Sequence, residues 1–187
     1  MGYRQIVRVS IGLMLALSCG LSVAALAAGT PTTLYLPAIS SGPAPTPAPS
    51  PTPGPSALIE QRIAELINAA RLEQGLSPLM VDGALTRAAR RHSADMAANT
   101  FFDHIGSDGS TPGQRIEEAG YSWYACGETI AAGHATPEDV VTAWLNSEGH
   151  REAILCPLYQ DLGVGYVNDP TSVYGRYCTV DFARHAQ

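Results

Sequence analysis

The sequence predicts an α+β layered domain on three observations: four capped helical segments with periodic apolar faces, three short strand-like runs bounded by turn residues, and no internal repeat. Ser56 is placed to cap a first helix, in which Ile59, Ile63, Leu66, Ile67 and Ala70 recur at helical spacing until Gly75 stops it. Asp82 caps a second, whose Leu85, Ala89, His92 and Met96 share one face. Thr111-Pro112-Gly113-Gln114 is a capping box with proline at the first helical position, and Gly120 ends that short helix. Thr136-Pro137-Glu138-Asp139 opens a fourth with an acidic first turn, followed by Val140, Val141, Trp144 and Leu145. Tyr121 to Ala132 reads as a strand around Cys126-Gly127-Glu128. Leu162 to Val167 and Tyr174 to Phe182 read as two more, joined by the turn-forming Asn168-Asp169-Pro170. Helices flanking a small antiparallel sheet complete the expectation.

The 187 residues divide into three parts. Residues 1–27 have the layout of a cleavable secretory signal: Arg4 and Arg8, an apolar run from Val9 to Leu26, and the small-x-small pattern Ala25-Leu26-Ala27. Small residues crowd the end of the run and no stop-transfer charges follow, which favours cleavage over a retained membrane anchor, so no stable membrane span is expected afterwards. A lipoprotein at Cys19 is disfavoured by the approach Ala16-Leu17-Ser18. Residues 28–56 form a spacer in which PAPTPAPSPTPGP alternates proline with small residues, a composition that favours extended polyproline II. Residues 57–187 form the globular domain, long enough to bury a core.

The formal net charge is −6, from 11 basic and 17 acidic residues, every basic one an arginine. Removing Arg4 and Arg8 with the signal takes −6 to −8. A scattered acidic surface excludes nucleic acid as a partner. Cys126, Cys156 and Cys178 remain after cleavage, and export permits a disulfide. The expected pair is Cys156 with Cys178, leaving Cys126 free; without a C-x-x-C spacing, a cysteine zinc site is not indicated. Enzyme signatures such as G-x-S-x-G, H-E-x-x-H and a phosphate-binding glycine loop are missing from the sequence.

What stands out is a dispersed set of histidines and carboxylates, embedded in a run of motifs. These are Asn68-x-x-Arg71-x-x-x-Gly75-Leu76-x-Pro78-Leu79, His92-Ser93-x-Asp95-Met96, Phe101-Phe102-x-His104, Asp108-Gly109, Pro112-x-x-Arg115 and Ala119-Gly120-Tyr121. Gly127-Glu128-Thr129-Ile130-Ala131, Trp144-x-x-Ser147-x-Gly149-His150-Arg151 and Gly163-Val164-Gly165 follow. In this order, from about Leu58 to Phe182, they resemble the bacterial, SCP-like branch of the CAP superfamily (cysteine-rich secretory proteins, antigen 5 and pathogenesis-related 1).

The resemblance implies a three-layer α-β-α sandwich with a small, mostly antiparallel central sheet and a surface cleft. That cleft is lined by paired histidines and paired acids, which in some members bind a divalent metal such as zinc. His104 corresponds to the first histidine, Glu128 to the glutamate of the Gly-Glu-Asn motif, and His150 to the second histidine. The motif's asparagine is Thr129 here, and Ser147, with Glu148 beside it, stands where animal members carry their second acid.

As chemistry, neutral imidazoles and a carboxylate suit zinc and an activated water. The same side chains also suit a plain hydrogen-bonded cluster that pins helices to the sheet. His92 reads as a core histidine on its apolar face, His134 as solvated, and His185 as part of a fraying tail. Trp144 and Phe182 read as core, and Arg115 and Arg151 as ion-pairing or capping residues. The resulting expectation is a secreted binding module whose His104, Glu128 and His150 cleft takes a small ligand, a lipid or a divalent metal. A metal-assisted extracellular hydrolase and a structural cell-envelope domain are the alternatives.

Overall fold

The structure, a computed structural model, describes residues 54–186; the expected signal (1–27) and the spacer up to residue 53 lie outside the described residues. Helix α1 spans Pro55–Glu73 and starts earlier than predicted. Gly54, not Ser56, is its N-cap, because Pro55 takes the first helical position, where a missing N–H costs nothing. Its end closes on Gly75, which adopts φ 71° and lets the Leu76 amide donate back to the Arg71 carbonyl at 3.0 Å.

The remaining elements are β1 (Met80–Val81), α2 (Gly83–Asn99), α3 (Pro112–Glu118), β2 (Trp123–Ala132), α4 (Pro137–Leu145), α5 (Glu148–Ile154), β3 (Asp161–Asn168) and β4 (Arg176–His185). The caps fall where the sequence put them. Asp82 accepts from the Ala84 and Leu85 amides, Thr111 and Gln114 complete a reciprocal capping box, and Thr136 accepts from the Asp139 amide. Helix α5 and strand β1 carried no signal in the sequence. The first has seven residues, too few for a periodic apolar face, and the second is a two-residue pairing made only by a distant partner. β4 also runs on to His185, so that histidine belongs to the sheet rather than to a fraying tail. Its ring stacks on Tyr121 with centroids 3.9 Å apart.

The strand order is β1-β3-β4-β2, with β1 parallel to β3 and the other pairs antiparallel, so the sheet is mostly antiparallel and layered between helices. Side chains alternate across it. One face presents Leu162, Val164, Val180 and Phe182 to Ile63 and Ile67 of α1 and to Val140 and Trp144 of α4. On the other face Ala183 meets Leu85 and Ile116, and Ile130 meets Met96, under α2 and α3. Trp144 and Phe182 are core residues, as expected.

Two glycines set how close α2 lies to the sheet. A Cβ on Gly163 would stand 2.1 Å from backbone atoms of Leu85 and Thr86, and one on Gly165 2.2 Å from those of Ala89 and Arg90. One turn further on, the Ser93 hydroxyl donates to the Gly165 carbonyl at 3.0 Å and bonds Thr179 Oγ1 at 2.9 Å.

Side chains bond backbone groups at both sheet margins. Beyond its short pairing with β1, β3 has an open edge, and there the Tyr166 amide donates to Glu60 Oε1 of α1 at 3.2 Å. Arg90 of α2 closes on the same carboxylate at 2.8 and 2.5 Å. Along β2, the outer strand on the opposite side, the Trp144 indole donates to the Ile130 carbonyl at 2.9 Å. Arg71, buried at the end of α1, donates to the carbonyls of Ser77, Ile154 and Cys156 at 3.0, 2.7 and 3.0 Å and so ties α1 to the end of α5. Among the described residues no helix is long and apolar enough to cross a membrane.

The expected Cys156–Cys178 bridge does not form: both are free thiols, as is Cys126. Cys178 faces the core from β4 opposite Ala131 and Tyr166, whereas Cys156 lies in the turn after α5. His134, expected in solvent, is half-buried against Ile59, Pro137 and Val140.

The glycine seat of α2 gives a first prediction. Gly165→Ala forces the helix off the sheet and lowers stability by about 3 kcal/mol or more, at the upper end of the usual cost of overpacking. A urea midpoint unchanged from wild type would show that the helix can shift without loss.

Candidate functional site

The expected site residues gather at the β2 margin, and each arrives there for a local reason. Glu128 points to the α2/α3 face because β2 alternates and its register partner is Asp181. Arg115 comes from the last turn of α3, a helix fixed by its capping box. The two side chains are each 1% exposed, and Arg115 Nη2 donates to Glu128 Oε2 at 2.6 Å. The same guanidinium donates to the carbonyls of Ser110 at 2.8 Å and His104 at 3.0 Å. It therefore serves the expected ion pair and also ties the loop before α3 to that helix.

His104 sits on the loop between α2 and α3. That loop leaves α2 through Thr100 at φ 58°, a left-handed conformation that costs a β-branched residue about 1–2 kcal/mol and that fixes the direction of exit. Behind the loop, His92 is fully buried, and burial pushes its ring below the ordinary histidine value. Being neutral, it donates through Nε2 to the Asp103 carbonyl at 2.8 Å. The core histidine of the sequence reading thus holds the residue next to His104, and its Nε2 stands 4.0 Å from Glu128 Oε1.

His104 Nδ1 lies 2.7 Å from Glu128 Oε1. Since the carboxylate pairs with a guanidinium and can only accept, Nδ1 is the donor in this contact. The ring is one-third exposed. Both Glu128 oxygens are consequently committed, one to Arg115 and one to His104, which makes Glu128 an orienting group rather than a free ligand.

His150 reaches the site from α5, whose N-cap is Ser147. Burial first, and then the neighbouring His104, lower its affinity for a proton, so it is a neutral imidazole at pH 7. Its Nε2 is buried with no hydrogen-bond partner among the described residues. Glu148, the candidate for the fourth position, is exposed on the first turn of α5.

One residue escaped the sequence reading altogether. Asp181 of β4 is fully buried, faces Glu128 across the strand pair, and neither of its oxygens has a hydrogen-bond partner among the described residues. Burial, and after it the negative charge of Glu128, raise its proton affinity well above the usual carboxylate range. The two carboxyls share one guanidinium, that of Arg115, and Asp181 is the one whose charged form burial disfavours. The only available signal was its strand period, which places it on the face of Glu128; nothing in the sequence gives the cross-strand register.

The nitrogens left for a metal are His104 Nε2 and the unsatisfied Nε2 of His150, whose imidazole burial keeps neutral. Among the described residues no three His, Cys, Asp or Glu side chains are placed to ligate one ion together. Two protein nitrogens would hold a divalent ion only with water completing its coordination, one protein ligand fewer than an open zinc site ordinarily uses. Burial pushes the Cys126 thiol up to about 12 and raises that of Cys178 further, so neither supplies a thiolate at neutral pH.

Comparison with known proteins agrees with this architecture. A family description, the cysteine-rich secretory protein family (CAP), matches residues 64–182. The chain is 46% identical to YkwD of Bacillus subtilis over 108 residues, which are 58% of this chain and 42% of that protein. It is 33% identical to a protein of Borreliella burgdorferi over 98 residues, 52% of this chain and 59% of the relative. The matched region spans less than two thirds of each relative. An extracellular protein containing an SCP domain from Bacillus anthracis superposes with a TM-score of 0.63 at 32% identity, covering 72% of this chain and 45% of the other. An outer surface protein of Borrelia burgdorferi does so with a TM-score of 0.61 at 25% identity, covering 67% and 92%.

The neutral state of Asp181 is open to measurement. Its native proton affinity is raised, so above about pH 4 the unfolded chain releases a proton that the folded chain keeps, and stability falls as pH rises through that window. Asp181→Asn has no such proton. Its stability relative to wild type, read from urea unfolding between pH 4 and 7, is expected to grow with pH, by up to about 1.4 kcal/mol per unit. A difference independent of pH would mean that Asp181 is ionised.

Proposed function

The chain belongs to the cysteine-rich secretory protein (CAP) family, and on that premise we propose that it is an exported binding module whose histidine site takes a divalent metal ion such as zinc. The observation that carries this reading is the 2.7 Å contact of His104 Nδ1 with Glu128 Oε1. It fixes the tautomer and aims the free Nε2 outward, the arrangement by which a carboxylate prepares a histidine ligand. His150, neutral and unsatisfied at Nε2, is the second donor. Asp181 lies behind the pair with its charged form disfavoured by burial, which limits the negative charge at the site. When bound, the metal would supply an electrophile for a small ligand at the open coordination positions. The protein's own part is to orient His104 through Glu128, to hold Glu128 through Arg115, and to keep His150 uncharged.

Export is supported by Arg4 and Arg8, the apolar run from Val9 to Leu26 and the Ala25-Leu26-Ala27 pattern. It is supported further by the description of two structural relatives as an extracellular protein and an outer surface protein. In this reading the proline-rich segment 43–55 spaces the domain from whatever lies at its N-terminal side.

Zinc titration by calorimetry tests the metal. The wild-type domain should give saturable heat, and His104→Ala and His150→Ala should each weaken binding by more than about tenfold. A wild type that gives no heat, or variants that bind as it does, would overturn the reading. Binding should also weaken in acid, because protonation of His150 competes with the metal, and burial places that competition below the ordinary histidine value.

A further inference from the structure

Beside the histidine site, the loop after α2 and the loop between β3 and β4 meet through two aromatic rings. Phe102 is 43% exposed and Tyr174 48%, and their centroids lie 6.0 Å apart at 59°. Ile105 and Val173, also exposed, widen the apolar surface on either loop. We propose that Phe102 and Tyr174 form a stacking shelf for an uncharged glycan chain.

The shelf is built rather than incidental. Tyr174 packs edge-on against the fully buried Tyr177 of β4, centroids 5.8 Å apart at 81°, so an exposed ring is held in one orientation from beneath. Its loop is closed by Asp169, whose carboxylate accepts from the Thr171 amide at 2.9 Å and the Thr171 hydroxyl at 2.6 Å. Phe102 is fixed from the other side. Its neighbour Phe101 packs edge-on against His92, and His92 holds the Asp103 carbonyl. Rings locked before binding lose little freedom when a ligand stacks on them.

The chemistry around the rings selects the occupant. Asp103, exposed beside Phe102, uses Oδ1 to accept from the Ile105 amide at 2.8 Å and keeps Oδ2 for a ligand. Apolar ring faces next to a carboxylate suit a molecule with C–H faces and hydroxyl donors, which describes a sugar chain. A hydrocarbon occupant would instead desolvate Asp103 without giving it a partner. Polyanionic polymers are repelled by a chain with 17 acidic and 11 basic residues and no lysine. The shelf does not rest on metal binding at His104 and His150.

The test is titration of the domain with chitohexaose and, separately, cellohexaose, followed by amide chemical shifts. Shifts are expected in residues 101–104 and 172–175, with at least a tenfold weaker affinity in Tyr174→Ala. Phe102→Leu, which keeps the apolar packing but loses the ring, should weaken it similarly. Zinc binding by Tyr174→Ala should match wild type, which separates this proposal from the metal reading. No shift with either oligosaccharide, or equal binding by both variants, would overturn it. So would association with phosphatidylcholine vesicles that Tyr174→Ala abolishes while neither sugar binds, because the surface would then be lipid-directed.

Discussion

A carboxylate is buried at the margin of the sheet, and most of the site follows from the need to satisfy it. Glu128 is 1% exposed, and an isolated charge there would be far too costly to keep. Arg115 compensates it, but a buried guanidinium brings its own demands, met by the carbonyls of Ser110 and His104. Those carbonyls belong to the loop that carries His104, so solving the charge problem also folds the loop. Removing either partner from such a pair costs about 3–5 kcal/mol. The charged form of Asp181 is then disfavoured, by burial first and also because a second charge beside Glu128 would have one guanidinium to share. The site is in this sense the visible end of a charge balance made inside the domain.

The two halves of the site reach it by different routes. His104 depends on α2, seated on Gly163 and Gly165, because His92 on that helix fixes the loop from behind. His150 depends on α5, which lies on the other face and is tied to α1 through the buried Arg71. They converge because β2 is an outer strand, and its margin is where elements from both faces can approach each other. The sheet acts as a partition, and the site forms where the partition stops.

Much of this was legible in the sequence, and the reasons for the remainder are physical. Asp82, Thr111 and Thr136 announced their helices because capping is a local interaction, decided within four residues. Ser56 misled because a competing local signal, Pro55 at the first helical turn, fixed the start two residues earlier. Helix α5 was invisible because seven residues joined to α4 by one short corner offer no period to detect. His104 and Glu128 were found through the motifs around them, and their contact is now seen to be direct. The role of Asp181 could not be read, since cross-strand register is a property of the folded sheet. The Cys156–Cys178 pairing failed for a related reason: nearness to strands in the sequence does not give the separation of two side chains in the fold.

The seal along β3 bears on how the domain can live with copies of itself. Glu60, reached from one side by Arg90 and bonded to the Tyr166 amide, occupies the line on which another chain would have to lay its backbone. Next to it, β1 offers a stretch of only two residues, too short to template an added strand. On the far side Trp144 already takes the Ile130 carbonyl, and the histidine site flanks the same strand. With the β3 edge guarded in this way, copies of the domain at high concentration can stay separately folded instead of pairing through that edge.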